Sequence, residues 1–161
     1  MKYTLYLAQA GDDARTVYSY ILTNFEGEKR SGIFVATGEH KHDEEYCSHV
    51  ALQRALRDTA KEPGVIQLTV HVDGPLVDPI IFQVEGINSP LYPSLAKTTT
   101  RLMKRFSAAE FAATDFNDDD ASWQEIATMD NALDQLEYSR TIKGRWQLLC
   151  DRLFNPTKII R

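Results

Sequence analysis

Acids gather at Asp43-Glu44-Glu45, ahead of a helical run, and Asp73 stands at the end of an apolar alternating run. Hard divalent cations take oxygen ligands, so such a set would hold Mg2+ or Mn2+. Each also has an ordinary reading. Asp43-Glu44-Glu45 opens a helical run, where acids complement the helix dipole. Asp73 precedes Gly74-Pro75 and suits a strand-ending turn.

Other chemistry is thinner. His40, His42, Cys47 and His49 fall within ten residues and offer nitrogen and sulfur donors to a transition metal. Their spacing straddles a loop and a helix start and matches no standard finger, so a solvated loop beside a buried cysteine is expected. His71 lies two residues before Asp73 on a strand and shares its face. No nucleophile elbow and no phosphate-cradling glycine loop is present. Basic residues gather in two places. Lys97, Arg101, Lys104 and Arg105 run along one helix, and Lys143, Arg145, Arg152, Lys158 and Arg161 mix with Trp146, Leu149, Leu153 and Phe154 further on. Both suit phosphate contacts or solvated surface, and the aromatic and aliphatic residues of the second group are expected to dock on the parent sheet.

The elements that must position these residues are legible from periodicity. Lys2 to Ala8, Thr16 to Phe25 and Ser31 to Thr37 read as three strands joined by short turns, an antiparallel meander. The period then changes, with a helical stripe from Glu44 to about Ala60. Val65 to Asp73 reads as a fourth strand. Four of the six prolines lie between Pro75 and Pro93, so short turns are expected there. A helix through Leu95, Thr99, Leu102, Met103 and Phe106 follows, then a short strand at Ala108 to Thr114. Ser122-x-x-Glu125 has capping-box spacing and opens another helix, and a last one is expected from Arg145 to Phe154.

Composition bounds the rest. The 161 residues, 43% hydrophobic and 25% charged, suit one domain spanning 1–161, with a helical tail from about residue 140. No apolar run is long enough for a membrane span, and no signal-peptide pattern opens the chain. Two cysteines make no disulfide framework, so a reducing, cytoplasmic setting is expected. The net charge of −5 argues against strong nonspecific binding to nucleic acid.

The order of elements resembles the ribonuclease H fold, an α/β architecture. Its mixed five-stranded sheet has three antiparallel strands, then parallel ones, flanked by helices. Thr4-Leu5-Tyr6-Leu7-Ala8 before Gly11 looks like that family's first strand, and Val50-Ala51-Leu52-Gln53-Arg54-Ala55-Leu56 after Glu44 and Glu45 looks like its glutamate-bearing helix. Val70-His71-Val72-Asp73-Gly74 looks like its fourth strand. The match is good over residues 2 to 78 and holds in element order beyond.

The resemblance implies four carboxylate positions that hold Mg2+ or Mn2+. This chain keeps two of them, at Glu44 or Glu45 and at Asp73. The first-strand position falls on Ala8, or on Gln9 with a one-residue slip, and the last-helix position falls near Gln124. The expected protein is a ribonuclease H-like domain with an incomplete metal site. It would bind an RNA/DNA hybrid or a single strand through Arg101, Lys104, Arg105, Lys143 and Arg145, or serve as a scaffold for a protein partner. The alternatives are an active nuclease completed by Asp12, Asp119, Asp120 or Glu125, and an acidic protein-binding adaptor or inhibitor.

Overall fold

The computed structural model describes residues 1–161. Strand β1 (Lys2–Gly11) turns Tyr3, Leu5 and Leu7 into one core and Tyr6, Ala8 and Ala10 toward the opposite face, the two-residue alternation of a strand covered on both sides. Strands β2 (Thr16–Asn24) and β3 (Gly27–Ala36) complete the antiparallel meander. β3 begins before the expected Ser31, and a register shift between Leu22 and Thr23 absorbs the extra length. β4 (Gln67–Asp73) lies parallel to β1, and β5 (Ala108–Thr114) parallel to β4. The strand order is β5-β4-β1-β2-β3, with β1 central beside a parallel β4. A two-residue strand not anticipated from sequence, β6 (Ile159–Ile160), adds to the outer edge of β3. Arg54 holds that addition, donating to the carbonyls of Thr157 at 2.8 Å and Ile159 at 2.7 Å.

Helix α1 (Glu44–Thr59) starts where the Asp43 side chain accepts the Tyr46 N–H. It and α2 (Pro93–Met103) cover one face of the sheet, with Ala51, Leu52, Ala55, Leu56 and Leu102 in the larger core. Each such leucine contributes about 1.5–3 kcal/mol by leaving water. Between β4 and α2 the expected turns are partly helical. A 3-10 turn at Gly74–Leu76 leads into a π-helical segment at Val77–Phe82, because Leu76, Ile80 and Ile81 are drawn into the core.

The opposite face is covered by α3 (Trp123–Ser139) and α4 (Ile142–Phe154). α4 begins at Ile142 rather than Arg145, since Thr141 caps it by accepting the Gly144 N–H. The expected docking of its large side chains does not occur. Gly144, Leu148 and Asp151 face inward, while Trp146 is 67% exposed and Leu149, Leu153 and Phe154 also face out. The cause is Gly144, where a Cβ would lie 1.9 Å from the Tyr138 carbonyl oxygen, so only glycine lets the helix approach α3 this closely. Gly144→Ala is therefore expected to destabilise by about 3 kcal/mol, the upper end for overpacking and well beyond the roughly 1 kcal/mol of helix propensity gained. Urea unfolding and hydrogen exchange along α4 measure it; unchanged protection would refute the close approach.

A buried polar staple joins α1 to α2. His49 Nδ1 lies 2.8 Å from Thr99 Oγ1, and Gln53 Nε2 donates to the Leu95 carbonyl at 3.0 Å. Burial pushes the His49 pKa down to about 4. The unfolded chain therefore binds a proton that the folded one refuses, so this contribution is complete above about pH 6.5 and is lost as pH falls toward 4. The loss is about 3 kcal/mol. Stability measured against pH for wild type and His49→Gln should differ in slope across that window, and parallel curves would refute it. No helix is long and apolar enough to cross a membrane.

Candidate functional site

The parallel register pairs Leu7 with Val72, so Ala8 and Asp73 are the next residues along neighbouring strands. Asp73 is 1% exposed. Its Oδ1 accepts the N–H groups of Gly74 and Phe116, each at 3.0 Å, tying the end of β4 to the segment after β5. Ala8 packs with Tyr6, Phe116 and Met129. Of the two residues on which the first-strand position can fall, Ala8 is thus a methyl packed on an aromatic ring and Gln9 is an amide beside Glu44. Asp73 Oδ2, Thr114 Oγ1 on β5 and Ser19 Oγ on β2 are buried without protein partners, and their residues share one row of the sheet with Ala8. The row keeps polar atoms on both sides of Ala8 and none on it.

The glutamates look elsewhere. Gln9 Nε2 approaches Glu44 Oε1 at 3.5 Å, and Gln9 follows Ala8, so its side chain belongs to the other face of the sheet. Glu45 accepts from Gln83 Nε2 and from the Leu91 N–H, each at 3.2 Å, and so anchors the loop before α2 to α1. No group of three His, Cys, Asp or Glu side chains converges to hold a metal ion. Glu44, Glu45 and Asp73 are thus engaged by separate partners.

Of the alternative acids, Asp12 is committed elsewhere and the others stand on the loop before α3 or at the start of that helix. Asp12 accepts Arg140 Nε at 2.8 Å and the N–H groups of Ala14 and Arg15, which holds its carboxyl below the usual range, the Arg140 bond first among the causes. Asp119 and Asp120 are exposed on the loop before α3. Glu125 is buried at the start of α3 and acts on Tyr6 and His71 of the sheet. The Tyr6 hydroxyl is raised by burial and by Glu125, while His71 is lowered by burial, with Glu125 opposing. Glu125 is thus the carboxylate that shares a face with Asp73 and His71, an acid the sequence offered only as one of several alternatives.

The histidine-rich loop is built for packing. His40 stacks on Tyr46 with ring centroids 4.0 Å apart, Tyr92 donates to Asp43, and His49 lies in the α1–α2 staple. Cys47 is buried and donates to the His40 carbonyl, and burial pushes its thiol up to about 12, so it is an inert core residue.

The basic residues separate into two sites. Lys97, Arg101 and Lys104 line a cleft of about 470 Å³ along α2, together with Gln83, Pro90 and Thr100, and no acid lines it. Arg105 is exposed at the end of α2. Lys143 and Arg145 are exposed on α4, across the sheet from α2. None of these six cations is engaged in an ion pair; the pairs that form use Lys29, Arg30, His40, Lys61 and Arg140. Sequence reasoning found the cations but not Gln83 and Pro90, whose folding against α2 turns a helix face into a cleft.

No protein-family model and no curated protein significantly matches the sequence. Solved structures do match the fold. RNase H1 of the halophilic archaeon Halobacterium salinarum is 17% identical, with a TM-score of 0.59 over 83% of this chain and 98% of that one. The N-terminal RNase H domain of a Mycobacterium tuberculosis protein is 15% identical, with a TM-score of 0.62 over 87% and 99%. LC11-RNase H1, solved in complex with an RNA/DNA hybrid, is 12% identical, with a TM-score of 0.58 over 83% and 97%. The chain has a ribonuclease H-like fold.

Proposed function

We propose that this ribonuclease H-like domain binds nucleic acid, as an RNA/DNA hybrid or a single strand, along α2 and does not cleave it through a two-metal centre. The observation that carries the reading is the acid-free cleft of Lys97, Arg101 and Lys104 in a chain of net charge −5. None of the three is in an ion pair, so each is free to meet a phosphate. Their spacing along the helix spans about 10 Å, enough to reach successive backbone phosphates. A structural neighbour solved with an RNA/DNA hybrid supports the class of ligand. Against cleavage stand Ala8 beside Asp73 and the separate engagements of Glu44 and Glu45. A divalent ion held by Glu44 or Asp73 alone would be weakly bound and is not required for binding.

A second reading, a protein partner, is favoured by the exposed Ile142, Trp146, Leu153 and Phe154 of α4.

The test is fluorescence anisotropy with hybrid, duplex and single-stranded oligonucleotides at several salt concentrations, with Mg2+, Mn2+ or chelator. The expected result is salt-dependent binding that a chelator leaves unchanged, with no product on a denaturing gel. Product from wild type that disappears in Asp73→Asn would show an active nuclease instead. No binding at low salt would move the protein-partner reading to first place.

A further inference from the structure

A second cavity, of about 320 Å³, lies between the β1–β2 turn, the loop after β3, and α4. Arg15, Lys41, Arg145 and Arg152 line it, and no acid does. None of the four is in an ion pair. This is unexpected in a chain with 23 acidic and 18 basic residues, where carboxylates are in excess. On the turn, Asp12 is committed to Arg140 and to turn N–H groups, and Asp13 does not line the cavity. Four like charges around one cavity repel one another and raise the energy of the folded chain unless an anion sits among them.

The wall adds a second, independent sign. Thr37 lines the cavity, and its Oγ1 is buried without a hydrogen-bond partner, while its N–H is already used on the Ile160 carbonyl at 2.7 Å. A buried hydroxyl is rarely left without a partner, and this one belongs to a residue of the cavity wall. Arg15 is positioned by a hydrogen bond to the Ser139 carbonyl, so its guanidinium is held in place before any ligand arrives. We propose that this cavity is an oxyanion site that takes a phosphate group. The guanidinium groups offer paired donors to its oxygens, and Thr37 adds a neutral donor from the wall. The chemistry is that of a phosphate monoester or diester, supplied either by a nucleic-acid backbone or by a small phosphorylated molecule. The site stands across the sheet from the α2 cleft and does not depend on the nucleic-acid reading.

The experiment is an NMR titration of the full chain with inorganic phosphate at constant ionic strength, with chloride as the control. Saturable shifts at Thr37, Gly38 and Arg145 are expected in the millimolar range, weakened about tenfold in Arg145→Ala/Arg152→Ala. Both replaced side chains are exposed, so the variant should keep its fold, which the remaining spectrum checks directly. Thr37→Val should weaken phosphate by a smaller factor, and Arg101→Ala/Lys104→Ala should leave it unchanged. Two further arms identify the source. Loss of oligonucleotide affinity in the α4 variant indicates a backbone phosphate, whereas competition by a nucleoside monophosphate with oligonucleotide affinity unchanged indicates a small ligand. Diffuse, non-saturating shifts, or saturation that survives the double substitution intact, would overturn the assignment.

Discussion

Ala8→Asp is expected to cost about 3–5 kcal/mol of stability, the scale for an uncompensated buried charge. The replaced methyl is fully buried, packs against Phe116 and Met129, and is next along β1 from Leu7, whose partner Val72 precedes Asp73. A carboxylate there would lose its hydration and face a like charge, and both effects disfavour its ionised form. Ala8→Asn, close in volume but neutral, should cost clearly less, which separates charge from crowding. The loss should shrink as pH falls and the new carboxyl takes up a proton. Millimolar Mn2+ should recover part of it, because adjacent carboxylates make a ligand that the natural chain lacks. Urea unfolding at two pH values, with and without Mn2+, reads all of this. An Ala8→Asp protein as stable as wild type would mean the space beside Asp73 is open rather than sealed.

Removing the cations of the α2 cleft should have the largest effect on binding. Lys97→Ala/Arg101→Ala/Lys104→Ala is expected to weaken oligonucleotide affinity about a hundredfold, at about 1 kcal/mol for each phosphate contact. The slope of log affinity against log salt should flatten by about two to three units, since each neutralised phosphate releases counterions. All three side chains are exposed, so thermal unfolding should barely move. An unchanged slope would show that nucleic acid binds elsewhere on the surface.

Much of the fold was legible because burial on both faces of the sheet leaves a strong period in the sequence. Leu5 and Leu7 alternate with Tyr6 and Ala8, and Ala51, Leu52, Ala55 and Leu56 form a helical stripe. β6 was not legible. Two isoleucines carry no period, and their burial depends on Arg54 holding nearby carbonyls. The π-helical segment was hidden by Pro75 and Pro79, which locally argue for turns, while the buried Ile80 and Ile81 decide otherwise.

The carboxylates were found as residue types at element ends but not as a geometry. Asp73 is fixed by the Phe116 N–H, which lies 43 residues away, and Glu45 by Gln83 and Leu91, 38 and 46 residues away. Which face each occupies turns on a single residue of register, and sequence pattern sets that less firmly than the existence of the strand. The α4 reading failed for a related reason. Its hydrophobic residues outnumber those the sheet can receive, and Gly144 chose the inward side.

The attachment of Ile159–Ile160 to Val35–Ala36 has a kinetic consequence. It closes a loop of roughly 120 residues, so the entropy of bringing these segments together is met only after the meander and its helices have formed. That short zipper would form late in folding and open early under stress. Its release would free the chain after α4 while leaving the five central strands paired, a partial unfolding confined to one side of the molecule.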